Sequence, residues 1–526
     1  MLFIYLLLQK LFYNCFSIRL VCGFYLAWLN YGLARYGLLV AVLMVVALAA
    51  LVFGPVSAPV ADSAYYADIA NNLISRGVFE SNFSPAYHNP LFPMVIAVFM
   101  ALFGGAWMKV FSIFSAVALA AAFWFACREF VDERAALLGT LLFAFLPATF
   151  YLSLDLLSDA LFVAFSLVSL AAYARFYRSG GNSGPSRLAL VAWPGFAALA
   201  VLTRSTGLVL PIVFLSHIVL EHLRKNVRAP TIGQCSYFIV VFAVIVGVWI
   251  GSNVIAGAPA FGGDYASKIS SNERYGWLSF SIEDYKVLEG GDAVALNPSL
   301  SASAKVPLPF TYALRIISYF ALFGTPVLFV LVIWRIYRLM NKPFEIRSLE
   351  LILLLWLGGF FVFHMVWPLA ISFRYVAPML AVGTILGVGL FSSFFGRRNR
   401  LLILLLLLQV VASIAIINWD MSARWSVSRD ASSLFQQTGT WLKANTASSD
   451  EVLVSGLPLN VVSYYGERKA VDSDLQLANS FVPAYAVISN YSEAANSVNL
   501  SSYGACTSFE SKQFSVKVLG LQCNGE

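Results

Sequence analysis

Residues 107–127 read WMKVFSIFSAVALAAAFWFAC, and the seven residues after them read REFVDER. The first stretch carries one charge, Lys109, while the second brings Arg128 and Arg134 together with three acidic residues. A helix needs about 20 apolar residues to cross the hydrocarbon core of a bilayer. This stretch therefore reads as a membrane span that ends on a charged loop, and it sets the fold class. The pattern recurs near residues 36–56, 135–154, 157–177, 188–203 and 206–221, and again near 235–256, 310–334, 349–369, 374–395 and 400–418. About eleven spans are expected.

Composition supports this reading. Of 526 residues, 60% are hydrophobic and 12% charged, against roughly 45–50% and about 25% in soluble globular chains. Such a chain needs lipid as its solvent. The net charge of +7 does not mark a nucleic-acid binder, because the Lys and Arg residues form short clusters between apolar runs rather than one basic face. Clusters of that kind mark cytoplasmic loops.

The segment from Pro90 to Gly105 is too short to span and starts with Pro90 and Pro93, which suits a juxtamembrane or re-entrant helix. If it does not cross, the basic loops 128–134, 175–187, 224–228, 335–347 and 397–400 all fall on the cytoplasmic side. The outer side then receives loops 57–106 and 252–309 and everything after residue 418. Residues 36–418 form the transmembrane domain. Residues 419–526 are polar and turn-rich, with a helical opening at Ala431–Ala444 and a strand-like Glu451–Ser455. They read as a small outer α/β domain. Residues 1–35 are apolar but interrupted by Lys10 and Arg19 and lack a small-residue cleavage site. They read as an interfacial helix or an over-extended start rather than a cleaved signal peptide. Cys506 and Cys523 share the polar tail and are the one plausible disulfide pair.

The polar residues that stand out gather on the outer side. After the first span, Tyr65, Ile69 and Leu73 recur every four residues and Gly77 follows, which predicts a short amphipathic helix with Asp62 at its N-terminus. Asp62 is placed either as an N-cap or as a base that accepts a proton from a hydroxyl at the membrane surface, and one residue can do both. Asp68 reads as a solvated or structural carboxylate. Tyr65, Tyr66 and Lys109 are further outer-face candidates. His88, just before Pro90, suits either a hydrogen bond to phosphate or one to backbone. Asp155 and Asp159 are spaced i, i+4 at the outer end of two successive spans, a spacing that puts both on one side of a helix. They suit a pairing with a basic residue, an acceptor contact or a divalent cation. Arg204 and Arg374 lie at outer helix ends, where cations are scarce. They suit headgroup contacts or capture of a phosphate.

Four of these stretches together resemble the GT-C superfamily of polytopic glycosyltransferases, in the branch containing protein O-mannosyltransferases and the aminoarabinose transferase that modifies lipid A. They are Asp62-Ser-Ala-Tyr-Tyr66, His88-Asn-Pro90-Leu-Phe-Pro93, Leu202-Thr-Arg204-Ser-Thr-Gly207 and Phe373-Arg374-Tyr375-Val-Ala-Pro378. Trp441-Leu-Lys-Ala-Asn445 and Tyr464-Tyr-Gly-Glu-Arg468 in the tail look like the periplasmic domain of bacterial members.

The resemblance implies a mainly α, polytopic bundle in the bacterial inner membrane, with its active site and C-terminal domain on the periplasmic face. It implies a polyprenyl-phosphate sugar donor and an acceptor that is an envelope glycan, lipid or protein. Asp62 is then the catalytic base, and Arg204, Arg374 and His88 hold the donor phosphate. The chain departs from the family pattern in having Ser63 where an acidic residue is common and His88-Asn89 where Lys-Pro is often found. A divalent cation, Mg or Mn, is accordingly an option rather than a requirement. A transporter or flippase of a lipid-linked glycan is the alternative reading. It predicts ionisable groups along a midplane pathway and two related halves, neither of which the sequence displays.

Overall fold

A computed structural model of the chain describes residues 62–81, 89–154, 156–180, 184–226, 229–255, 308–341, 348–366 and 373–394. In the tail it describes 433–447, 450–455, 464–472, 485–489, 504–510 and 515–520, and a few isolated positions elsewhere. The expected spans near 36–56 and 400–418 lie largely outside these residues, and so do residues 1–35, His88, Asp155 and most of the 252–309 loop.

The helices run in order α1 (Asp62–Arg76), α2 (Leu91–Phe103), α3 (Trp107–Cys127), α4 (Glu133–Ala144), α5 (Pro147–Leu154), α6 (Ser158–Arg178) and α7 (Gly184–Thr203). They continue with α8 (Val209–Leu223), α9 (Ile232–Ile255), α10 (Leu308–Phe323), α11 (Thr325–Met340), α12 (Ser348–Val366) and α13 (Phe373–Phe394). Among the described residues, four helical stretches are long and apolar enough to cross a membrane: Leu91–Cys127, Ser158–Arg178, Ser205–Leu223 and Ile232–Ile255. Shorter apolar helices cover Arg187–Thr203, Ser348–His364 and Arg374–Gly389. The protein is a multi-pass helical membrane protein.

Two expected spans are not simple rods, and the short helix expected ahead of the 107–127 span folds back on it. The stretch 135–154 is two helices, because Pro147 ends one run of hydrogen bonds and occupies the first position of α5, where its missing N–H costs nothing. The stretch 310–334 is divided at Gly324, where a Cβ would collide with Leu380 and with the Phe320 carbonyl. The apolar run Leu91–Cys127 turns back on itself at Gly104–Ala106. Phe92 and Phe111 would lie about 28 Å apart on a straight helix, yet their rings are 5.6 Å apart. The α2 helix therefore folds against the start of α3, as its Pro-rich opening and short length suggest.

The α6 helix is central. It packs on α3, α7 and α13, while α12 joins α8 to α13. Trp193 of α7 stacks on Phe238 of α9 at 4.4 Å, and Ser169 donates to the Trp193 carbonyl at 2.9 Å. Two buried polar ties cross the core. Tyr173 meets His217 Nδ1 at 2.6 Å, and His217 Nε2 meets the Ser348 carbonyl at 2.7 Å. Beside it, the Tyr177 hydroxyl donates to Glu221 at 2.5 Å. Buried polar groups satisfied in this way fix which helices are neighbours.

The C-terminal domain opens with helix α14 (residues 433–445) and continues with β1 (Glu451–Ser455), β2 (Lys469–Asp472), β3 (Tyr485–Ser489), β4 (Gly504–Glu510) and β5 (Ser515–Gly520). The sheet order is β2-β1-β3-β5-β4; β1 pairs in parallel with β2 and β3, and β5 runs antiparallel to β3 and β4. Alternate apolar residues Val452, Val454, Val487, Val516 and Val518 meet Leu434, Phe435 and Leu442 of α14. Arg468 caps α14 by donating to the Lys443 carbonyl at 3.0 Å and to the carbonyl and hydroxyl of Thr446, which satisfies acceptors the helix leaves open. Cys506 is disulfide-bonded; its expected partner, Cys523, lies outside the described residues.

Gly439 marks where α14 touches the Tyr464–Gly466 turn. A Cβ there would run into the Cβ and backbone of Tyr465. Replacing Gly439 by Ala gains about 1 kcal/mol of helix propensity but overpacks against backbone that cannot swing aside, at about 1–3 kcal/mol. Gly439→Ala should therefore lower the thermal midpoint of the purified protein in detergent, and an unchanged or higher midpoint would refute this packing.

Candidate active site

Helix α7 ends at Thr203, and the chain then turns sharply. Arg204 is extended (φ −150°, ψ 134°), and a 3-10 turn over Ser205–Leu208 folds back across the end of α7. Gly207 makes this possible, because a Cβ there would lie 2.7 Å from the Val201 nitrogen and 2.9 Å from the Ala200 carbonyl carbon. The Gly207 N–H donates to the Arg204 carbonyl at 2.9 Å and closes the turn. Asn89, just ahead of α2, donates its side-chain amide to the Val201 carbonyl and ties that segment to the same helix end.

The turn delivers the Arg204 guanidinium to Asp159 in the first turn of α6, with N to O at 2.6 Å and side chains 14% and 2% exposed. Arg204 also lies over the ring of Tyr375 at 5.1 Å, and Arg374 lies 5.3 Å from the same ring. His364, near the end of α12, packs on Tyr375 at 5.5 Å between centroids and hydrogen-bonds to its backbone. Tyr66 of α1 is a further electrostatic neighbour of Arg204. Five helices, α1, α6, α7, α12 and α13, thus bring one carboxylate, two guanidiniums, an imidazole and two phenols to one end of the bundle. Each guanidinium is planar and rich in donors, suited to an oxyanion.

The sequence candidates fall out as follows. Arg204, Arg374, Asp159 and Tyr66 come together. Tyr65 is 5% exposed and in edge contact with Tyr66. Lys109 is exposed in the first turn of α3, outside the cluster. Asp62 is the first residue of α1, four residues before Tyr66; its side chain lies outside the described residues, as do His88 and Asp155. The expectation that Asp155 and Asp159 share a helix face is corrected. The α5 helix ends at Leu154, and Leu157 is extended ahead of α6, so the two positions do not lie on a continuous helix. Asp68 is 1% exposed rather than solvated. It lies near Tyr464, whose pKa is pushed up to about 12 by burial and then by Asp68 and Glu467. Among the described residues no group of three or more His, Cys, Asp or Glu side chains is placed to hold a metal ion.

Sequence reasoning left Tyr375 and His364 without roles. Tyr375 was visible inside the Arg374 motif. His364 had a weaker signal: the chain has four histidines, and one 6% exposed in an apolar helix is unusual.

Removing one partner of a buried ion pair leaves an uncompensated charge, at a cost of about 3–5 kcal/mol, whereas removing both costs far less. Asp159→Asn and Arg204→Gln should each destabilise the detergent-purified protein, and the double variant should recover much of the loss. Additive losses in that double-mutant cycle would show that the two side chains do not pair.

Residues 105–255, which run from the turn before α3 to the end of α9, match the family model described as dolichyl-phosphate-mannose-protein mannosyltransferase. No curated protein matches the sequence. The structure is similar to ArnT from Cupriavidus metallidurans bound to undecaprenyl phosphate, with a TM-score of 0.58 and 16% identity, covering 92% of this chain and 97% of that one. It is also similar to the archaeal oligosaccharyltransferase AglB from Archaeoglobus fulgidus in complex with an inhibitory peptide and a dolichol-phosphate. There the TM-score is 0.57 and the identity 14%, over 86% of this chain and 69% of that one. At such identities the likeness speaks to architecture. The chain has the GT-C fold, and across residues 105–255 it is similar in sequence to the mannosyltransferase family.

Proposed function

We propose that the protein is a glycosyltransferase that moves a sugar from a polyprenyl-phosphate donor to an envelope acceptor, a glycolipid, lipid-linked glycan, polysaccharide or protein, on the periplasmic face of the bacterial inner membrane. The observation that carries this reading is the convergence of Arg204 and Arg374 on Tyr375 beside the buried Asp159. Two fixed cations at the bundle's end suit the phosphate of a lipid whose tail lies between helices. The similar ArnT structure holds undecaprenyl phosphate and the similar AglB structure a dolichol-phosphate.

In this mechanism Asp62 opens the amphipathic helix α1, one turn ahead of Tyr66, which itself neighbours Arg204. Asp62 takes the proton of the acceptor hydroxyl as its oxygen attacks the anomeric carbon, and the bond to the phosphate oxygen breaks with inversion. The leaving polyprenyl phosphate departs as an anion that needs no proton, so a single carboxylate suffices. The guanidiniums of Arg204 and Arg374, with His88, stabilise the charge that builds on the phosphate. Asp159 holds Arg204 in place rather than binding the acceptor. A cation, Mg or Mn, is not required by this scheme.

The test is mass spectrometry of surface glycolipids, polysaccharide and envelope proteins from cells lacking the gene, complemented with wild type or Asp62→Asn. A sugar-sized mass lost in the deletion and restored by wild type alone is expected; equal restoration by Asp62→Asn removes Asp62 as the base. Loss of transfer in the presence of a chelator, regained with Mn, would overturn the metal-independent scheme. A mass loss indifferent to Asp62, Arg204 and Arg374 alike would favour the flippase.

A further inference from the structure

The end of the bundle opposite this cluster holds a second candidate site. Helices α6, α12 and α13 each run from one end to the other: Asp159 to Arg178, His364 to Ser348, and Arg374 to Gly389. Nineteen residues of helix in α6 cover about 28 Å. At the far end a cavity of about 480 Å³ opens among α6, α11, α12, α13 and the residues after α3 and α8. Its size is that of a small-molecule pocket. Four of the five basic segments meet around it, represented by Val131, Arg178, Asn226 and Arg335.

The lining is divided along the height of the bundle. Outermost stand Arg178, Arg335, Asn226 and Ser348. Deeper in the bundle are Leu353 of α12, beyond Ser348, and Ile385 and Leu386 of α13, about one turn before Gly389. The Asn226 amide is committed to Tyr177, Glu221 and Ser348, and Arg335 to the lining carboxylate Glu350, which leaves Arg178 as the accessible cation at the mouth. A cation at the mouth with hydrocarbon beneath it matches the two halves of an amphiphile. The charges around the cavity do not cancel. Arg335 pairs with Glu350, and Arg224 lies 3.5 Å from Glu221. Glu129 alone faces both Arg128 at 3.8 Å and Arg178 at 3.6 Å, contacts too long for hydrogen bonds. Among these described residues one positive charge is in excess, and Arg178, its side chain 46% exposed, is the most accessible of the cations lining the cavity.

We infer that this cavity binds the phosphate of a singly anionic phospholipid, with Arg178 as its main contact and the start of the acyl region against Leu353, Ile385 and Leu386. The site is separate from the proposed donor site and does not depend on the protein being a transferase. Lipid bound there bridges α6, α11, α12 and α13 and stabilises their packing.

The experiment is native mass spectrometry of the delipidated full-length protein in detergent, titrated with phosphatidylglycerol, with phosphatidylcholine of the same chains, and with inorganic phosphate. Phosphatidylglycerol should bind in preference to phosphatidylcholine. Arg178→Gln should weaken it about tenfold, the scale of one charge-assisted contact. Arg187→Gln, a substitution at an exposed arginine in α7 that does not line the cavity, should leave it unchanged. Thermal midpoints of both variants verify folding, and Arg335→Met combined with Glu350→Leu provides a second cavity variant that leaves no buried charge alone. Equal binding by wild type and both cavity variants overturns the inference. Inorganic phosphate binding as tightly as the lipid, with the same dependence on Arg178, overturns the lipid as its source.

Discussion

A carboxylate that is 2% exposed at the end of a membrane-spanning helix is costly to bury unless a fixed cation stands beside it. Asp159 has that cation in Arg204 at 2.6 Å, and the candidate site is arranged around meeting this need. The extended backbone at Arg204, the tight 3-10 turn after it and the glycine at 207 all put one guanidinium where α6 begins. Guanidinium is suited to the task because it is planar and carries five N–H donors. One edge engages the carboxylate, its face lies toward Tyr375, and donors remain. Tyr375 then draws α13 and Arg374 to the same place, and His364 brings α12. A Lys at 204 would meet the charge but not the ring, and would hold the second arginine less firmly.

The two ends of the bundle are linked by their interior. Between the arginine cluster and the basic far end lie Trp193, Phe214, Phe238, Trp356 and Phe360, all nearly inaccessible to solvent. Near the far end the Tyr173–His217 and Tyr177–Glu221 ties lock α6, α8 and the start of α12 together. Polar ties at one end and an ion pair at the other hold α6 at both, with close-packed aromatics between them. A scaffold of this kind keeps two cations in fixed relation without help from a ligand.

The sequence carried the long elements well and their interruptions poorly. Hydropathy alone placed α3, α6 and α9 to within a few residues, because lipid imposes a length and an apolar content that few other constraints imitate. The same measure is blind to backbone. It ran through Pro147 and Gly324 and took two broken segments for single spans, although proline chemistry could have marked the first break. The i,i+4 relation of Asp155 and Asp159 failed for the same cause, since it presumes a continuous helix that the extended Leu157 interrupts. Arg204 and Arg374, which the structure brings to one ring, stood out in the sequence because they lie at helix ends away from the basic loops, against the charge bias of membrane proteins. The pairing of Arg204 with Asp159, 45 residues away, leaves no periodic trace. Neither does the third dimension that sets His364 beside Tyr375.

The placement of α1 follows from surfaces on both of its sides. Ala67 and Ala70 pack with Phe92 and Ile96 of α2, while Ala64 belongs to the core that α14 shares with the C-terminal sheet. Asp68 lies near Tyr464 of that same domain. The helix that begins at Asp62 is thus held between the membrane bundle and the soluble domain, and its small residues are what allow both to approach. Removing the domain would leave the Ala64 face bare and Asp68 without the burial it has now. A change in the domain's position would be felt first at α1. The C-terminal domain is on these grounds part of the candidate site's architecture rather than an appended module, and the tolerance of α1 for larger residues at 64, 67 and 70 is limited from both sides.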